Sequence, residues 1–143
     1  MSESPLVSVT VCVRDGGHWV DDCLNSLLQQ THRPLEIIAV NDGSSDDTKS
    51  KLDTWHERHS DGEVPIQIIH QDSLGLSAGR MAAVEQSKGM WIAITDIDVR
   101  PEPDWIEQML LACIPIDNES IAAVTGRTVF QAHDDVVSRF RAV

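Results

Sequence analysis

The stretch Trp91-Ile92-Ala93-Ile94-Thr95-Asp96-Ile97-Asp98 limits the possible folds more than any other part of the chain. Residues 91 to 95 are apolar apart from Thr95, rich in β-branched types, and follow closely on Gly89. A run so brief, bounded by turn chemistry, predicts a short buried strand rather than a helix. Asp96 and Asp98 stand where that strand runs out, and in extended backbone alternate residues share a face. Two carboxylates held close repel each other until a divalent cation neutralises them. The carboxyl ends of strands in parallel α/β sheets are also where ligands bind. The first expectation is therefore a metal site, Asp96 with Asp98, at the end of a central strand.

The rest of the chain supplies the sheet such a strand needs. Residues 7 to 13 alternate valine with small residues, a period of two that predicts a first strand. Arg14-Asp15-Gly16-Gly17 breaks it, and Trp19, Val20, Cys23, Leu24, Leu27 and Leu28 then mark one face of a helix ending before Pro34. A second strand over 35–40 meets Asn41-Asp42-Gly43-Ser44-Ser45-Asp46-Asp47-Thr48, a turn into a helix for which Ser44 or Ser45 is the expected N-cap. That helix has a thin apolar stripe in Leu52 and Trp55. A third strand covers 66–70, and a helix rich in small residues covers 77–88, closed by Gly89 as a left-handed cap. After the acidic strand, Pro103 suits a first helical turn before Trp105, Ile106, Met109 and Leu110, and residues 121–125 form the expected fifth strand. Successive βα units predict an α/β, Rossmann-like, mainly parallel sheet with helices on both faces.

Charge and cysteine usage exclude several functions. Of 143 residues, 11 are basic and 23 acidic, a net charge of −12 that repels nucleic acid and anionic lipid. A divalent metal reverses the local sign, so a phosphorylated ligand stays compatible with such a surface. Cys12, Cys23 and Cys113 are scattered in apolar runs and read as reduced core residues rather than a disulfide framework or zinc site. The six histidines are dispersed; His18, His32 and His133 read as solvent-facing, and His56 and His59 lack a third ligand nearby. There is no N-terminal signal pattern and no apolar run of membrane-spanning length, so the chain is expected to be cytoplasmic, or at the cytoplasmic face of the membrane within a longer protein. The apolar fragments of the tail after Arg127 leave homo-oligomerisation open.

Four signals in this order, namely strand one, Asn41-Asp42-Gly43-Ser44, the 75–81 segment and Asp96-Ile97-Asp98, resemble the nucleotide-sugar-binding half of a GT-A fold, family 2-type inverting glycosyltransferase. The resemblance runs from about residue 6 to about residue 127. It implies that Cys12, Val13, Arg14 and Asp15 lie against the nucleotide base and that Asp42 contacts the uracil. It matches Gly75-Leu76-Ser77-Ala78-Gly79-Arg80-Met81 to a Gly-x-x-x-Ala-Arg-Asn segment, placing Arg80 beside the nucleotide or diphosphate. It makes Asp98 the direct ligand of Mn²⁺ or Mg²⁺, with Asp96 assisting or touching the ribose. Asn41 departs from the family by replacing the first acid of its turn, Arg14 stands where an aromatic is common, and Met81 replaces the usual Asn. The resemblance also places the acceptor-binding half and its general-base carboxylate beyond Val143. Residues 1 to 143 are thus expected to form a single donor-binding domain of a longer or two-chain protein.

The implied chemistry is transfer of a sugar, with inversion, from a nucleoside diphosphate to an acceptor (saccharide, lipid or protein) that the sequence does not identify. Asp42 can accept from the imide N–H of uracil, whose counterpart in cytosine is an acceptor, so a UDP-sugar is the expected donor. Each residue also has a plainer role: an Asp-x-Asp pair in a solvated loop, an Asp42 bonding its own turn, an Arg80 on a helix surface. Two other functions compete. One is a module that binds a nucleotide sugar without transferring it. The other is a metal-dependent adhesion domain, nearly matched by Asp42-Gly43-Ser44-Ser45-Asp46 but with Asp for the last Ser and the turn after strand two rather than strand one.

Overall fold

The structure, a computed structural model, describes residues 4–113 and 123–126. Strands and helices alternate through them: β1 (Val7–Val13), α1 (Gly17–Leu28), β2 (Leu35–Asp42), α2 (Thr48–His59), β3 (Ile66–Gln71), α3 (Leu76–Gln86), β4 (Trp91–Asp96) and α4 (Trp105–Ala112). The four strands make one parallel sheet in the order β3-β2-β1-β4. Contacts divide the chain into a unit over Met1–Glu107, which holds the whole sheet, and a second over Gln108–Val143.

The strand order determines where a ligand can sit. The chain winds outward from β1 to β3, then crosses back to lay β4 on the other side of β1. Right-handed crossovers put the helices before and after that reversal on opposite faces of the sheet. α3 packs on the face that carries Cys12, Ile38 and Val40, where Ala83 completes a small buried cluster. α1 and α2 pack together over the other face, which carries Val7, Val9, Val11, Val13, Ile37 and Ala39, none more than 2 % exposed. The reversal opens a crevice between the carboxyl ends of β1 and β4, where Cys12 pairs in register with Asp96.

Several expectations are corrected in detail. β4 was expected to be a buried central strand; among the described residues it is an edge strand. α3 sits over β1 and β2 and does not cover Ile92 and Ile94, which are 39 % and 51 % exposed. Gly89 is not a left-handed cap, since among the described residues only Gly43, Gly75 and Asp15 have positive φ. It is a point of close approach instead: a Cβ there would lie 2.5 Å from the Ser8 backbone nitrogen, and Gly89 N–H donates to Ser8 Oγ at 2.8 Å. His32 is buried rather than solvent-facing, its Nε2 2.9 Å from the Pro5 carbonyl.

Cys23 lies in the core and burial pushes its thiol up to about 12, while Cys12 is half-buried; all three cysteines are free. The thin stripe of α2 is as expected, with Leu52 and Trp55 buried and Trp55 Nε1 donating to Asp21 at 2.8 Å. Of the expected fifth strand, residues 121 and 122 lie outside the described residues, and 123–125 join no sheet ladder. The tail from Arg127, which includes His133, also lies outside them. No helix among the described residues is long and apolar enough to cross a membrane.

Candidate functional site

Asp15 opens the site. It follows β1 in the left-handed region at φ 50°, a conformation that costs most side chains energy but that Asp tolerates when its carboxylate bonds nearby backbone. Asp15 Oδ1 accepts from Ser45 N–H at 2.6 Å, Ser45 Oγ–H at 3.1 Å and Asp46 N–H at 3.3 Å. Its own N–H donates to Ser44 Oγ at 2.9 Å. Asp46 returns the tie, accepting from Gly17 N–H at 3.0 Å through Oδ2 and from the Thr48 N–H and hydroxyl through Oδ1. The turns after β1 and β2 are thereby stitched to each other.

This stitching corrects the N-cap expectation. Ser44 and Ser45 do not cap α2, because both hydroxyls are spent on Asp15; the carboxylate that takes the Thr48 N–H belongs to Asp46. It also leaves Ser44 and Ser45 committed to a structural tie rather than to the adhesion-type ligand set.

Asp42 is the last residue of β2 rather than a turn residue, and it is 4 % exposed. Its Oδ1 accepts from Gln71 Nε2 at 2.7 Å and Leu74 N–H at 2.8 Å, and Oδ2 accepts from Gly75 N–H at 2.9 Å. A carboxylate offers about four acceptor positions, so one lone pair on Oδ2 is left for a ligand. The next residue, Gly43, has φ +67°, and a Cβ there would lie 2.6 Å from the Ser73 backbone nitrogen. The end of β2 and the loop into α3 thus touch backbone to backbone.

The other wall of the crevice carries the charges. Arg80 on α3 reaches across to β4, with Nη2 3.2 Å from Asp96 Oδ1. Asp98 does not share a strand face with Asp96 as extended spacing predicted. The strand ends at Asp96, and a turn closed by Val99 N–H donating to the Asp96 carbonyl at 3.1 Å carries Asp98 beyond it. Asp98 is exposed and makes no hydrogen bond or ion pair among the described residues.

Cys12 lies at the junction of these groups. Burial raises its thiol, Arg80 opposes that rise, and Asp42 and Asp96 add to it. Gly79 keeps α3 close above it, since a Cβ at 79 would lie 3.2 Å from Cys12 Sγ. Val13 is buried on the opposite face, so only its backbone can meet a ligand, whereas Arg14 is exposed and its charge lowers the Asp42 pKa. No cluster of three or more metal-ligating side chains occurs among the described residues. Asp96 and Asp98 supply carboxylate oxygens, the ligand type that hard divalent cations take.

Sequence reasoning missed Ser44, Ser45, Asp46 and Gln71 as the partners that hold Asp15 and Asp42. Only Asp15 gave a signal, a polar residue between the end of a strand and paired glycines.

Three of these carboxylates tie the site to acid stability. Ser45 hydrogen bonds lower the Asp15 pKa, the Gln71 bond leads the lowering at Asp42, and the Thr48 bond leads it at Asp46. Their unfolded values lie near ~3.9, so the unfolded chain binds protons first as pH falls. The stability they contribute is complete above about pH 4 and is lost as pH drops through their depressed folded values. Thermal melts from pH 7 to pH 3 should show the melting temperature falling below about pH 4, with a shallower fall in Asp15→Asn, which keeps the left-handed residue and Oδ1 but does not titrate.

The sheet order and alternating helices are those of a Rossmann-like GT-A fold. Over 80 % of this chain the structure superposes on 34 % of the mannosyltransferase PcManGT from Pyrobaculum calidifontis, solved with GDP-Man and Mn²⁺, with a TM-score of 0.72 at 22 % identity. Over 88 % of this chain it superposes on 37 % of S. aureus TarS 1-349, solved with UDP-GlcNAc, with a TM-score of 0.64 at 21 % identity.

Residues 8–137 match the model of the glycosyl transferase family 2, and the chain belongs to that family. It is 39 % identical over 108 residues to EpsH of Bacillus subtilis (strain 168), which carries the name of a glycosyltransferase, covering 76 % of this chain and 30 % of EpsH. It is 30 % identical over 126 residues to the chondroitin synthase of Pasteurella multocida (strain Pm70), covering 82 % of this chain and 12 % of the synthase. The chain thus spans about a third or less of the curated relatives it matches here.

Proposed function

We propose that residues 1 to 143 form the donor-binding domain of an inverting glycosyltransferase that takes a nucleoside diphosphate sugar, with UDP-sugar as the donor, and a divalent metal. The observation that supports this most is the convergence around Cys12, at the switch point of a parallel sheet, of a loop-held Asp42 with the Arg80–Asp96 pair. The two solved neighbours carry a guanosine and a uridine donor, so the base must be argued from this chain's own residues.

In this reading Asp42 Oδ2 accepts from the imide N–H of uracil, and its lowered pKa keeps it an acceptor at neutral pH. Cys12, Val13, Arg14 and Asp15 border the base; Asp15 does so by fixing the loop rather than by reaching the ligand. Arg80 gives a charge-assisted hydrogen bond to the diphosphate, releasing Asp96. Asp98 and Asp96 would hold Mn²⁺ or Mg²⁺, which when bound stabilises as a Lewis acid the charge gathering on the leaving diphosphate. The acceptor and its base are left unassigned. Nucleotide sugars and three reduced cysteines both suit the cytoplasm.

A release assay over a panel of UDP- and GDP-sugars, run beside binding titrations, tests the reading. Nucleotide release with a UDP-sugar supports a transferase domain. Binding with no release or transfer from any donor indicates a module that only holds nucleotide sugar.

A further inference from the structure

The residue just before Asp42 makes a hydrogen-bond chain that nothing above uses. Asn41 is 4 % exposed, and its Oδ1 accepts from Ser44 N–H at 3.1 Å, which fixes the orientation of the amide. The amide NH₂ then faces His70 Nδ1 at 3.2 Å. Because Nδ2 can only donate, His70 Nδ1 must accept, and the ring proton must sit on Nε2. That nitrogen lies 2.7 Å from Asp53 Oδ1, an acceptor in the right place. Lys49 Nζ holds the other oxygen of Asp53 at 2.7 Å.

The register makes the chain relevant to the site. Asn41 pairs with His70 and Asp42 with Gln71, so the pair of residues ending β2 is gripped by the pair ending β3. Asn41 is bound on both sides, to the turn through Ser44 and to α2 through His70 and Asp53. An imidazolium could not fill this role: a proton on Nδ1 would meet the Asn41 NH₂, and flipping the amide would leave the part-buried Ser44 N–H opposite another donor.

We infer that His70 is a positioning residue for the donor base, acting as a neutral Nε2–H imidazole that clamps Asn41 and so aims the free lone pair of Asp42. The inference rests on the donor-site reading above. It separates the base end of the site from the phosphate end, because Arg80 and Asp96 come from α3 and β4 and Asp98 from the turn after β4, away from the clamp residues.

The test has two arms. Nitrogen NMR of the wild-type imidazoles should show His70 as the Nε2–H tautomer at neutral pH; an Nδ1–H or doubly protonated ring overturns the inference. Titrations with UDP and with inorganic pyrophosphate, both with Mn²⁺, then compare wild type, His70→Leu and His70→Gln. His70→Leu should bind UDP about tenfold more weakly with pyrophosphate affinity unchanged, and His70→Gln, whose amide offers both an acceptor and a donor, should recover most of the loss. UDP and pyrophosphate falling together, or UDP affinity unmoved, would overturn it. A wild type that binds neither ligand overturns the donor-site reading and base positioning with it, whereas the tautomer reports on the clamp by itself.

Discussion

Gly43→Ala should lower stability by about 3 kcal/mol, combining the cost of a side chain in the left-handed region with an overpacked contact. The two causes are independent. Gly43 has φ +67°, and the added Cβ would lie 2.6 Å from Ser73 N and 3.1 Å from Ser73 Cα, backbone atoms that cannot swing aside. The loop into α3 must therefore move away from β2, stretching the Leu74 and Gly75 hydrogen bonds to Asp42. In a domain of this size the melting temperature should drop by about 10 °C. A thermal melt checks it, and a variant within 2 °C of wild type would show that the Gly43–Ser73 approach is not held in solution. UDP binding should fall in the same variant, because the loop that buries Asp42 is the one displaced.

Asp98→Ala should behave in the opposite way. Its carboxylate has no partner among the described residues, so the melting temperature should move by no more than about 2 °C, as for surface substitutions in general. Affinity for UDP in the presence of Mn²⁺ should fall at least about a hundredfold, because the proposed site would lose an oxygen ligand and a negative charge for the cation. Isothermal titration beside a melting curve separates the two quantities. If the variant keeps Mn²⁺-dependent binding, the metal is held elsewhere and Asp98 is a solvated turn residue. The contrast with Gly43 is the useful part: one substitution acts through the scaffold and the other through the ligand.

The parallel sheet was legible in the sequence because each strand and each helix carries its own periodicity. Valines alternating from Val7 to Val13 and the spacing of Val20, Cys23, Leu24 and Leu27 need no tertiary information. The order of βα units then gives the location of the crevice, since right-handed crossovers leave few ways to wind them. What failed was whatever depended on a distant partner. Ser44 and Ser45 match the local pattern of an N-cap, but Asp15, about thirty positions earlier, takes both. Gly89 matches a helix stop, but its lack of a side chain serves the approach to Ser8.

The acidic pair shows both sides. Asp96 was correctly placed at the end of β4, because strand length is a local property. Asp98 was assigned to the same face on the assumption that the extended backbone continues, and a single hydrogen bond from Val99 to Asp96 ends it. The Arg80–Asp96 contact is likewise illegible in the sequence, since charge pairing across a crevice leaves no trace in spacing.

Titrating UDP into the wild-type chain by calorimetry, with and without Mn²⁺, tests the donor site most directly. Binding that appears with Mn²⁺ and weakens at least about tenfold without it is the expected result, because in the proposed site a cation on Asp96 and Asp98 would offset their charge before a diphosphate approaches. A folded chain that binds UDP equally well in both conditions, or in neither, would contradict a metal-dependent donor site in these 143 residues.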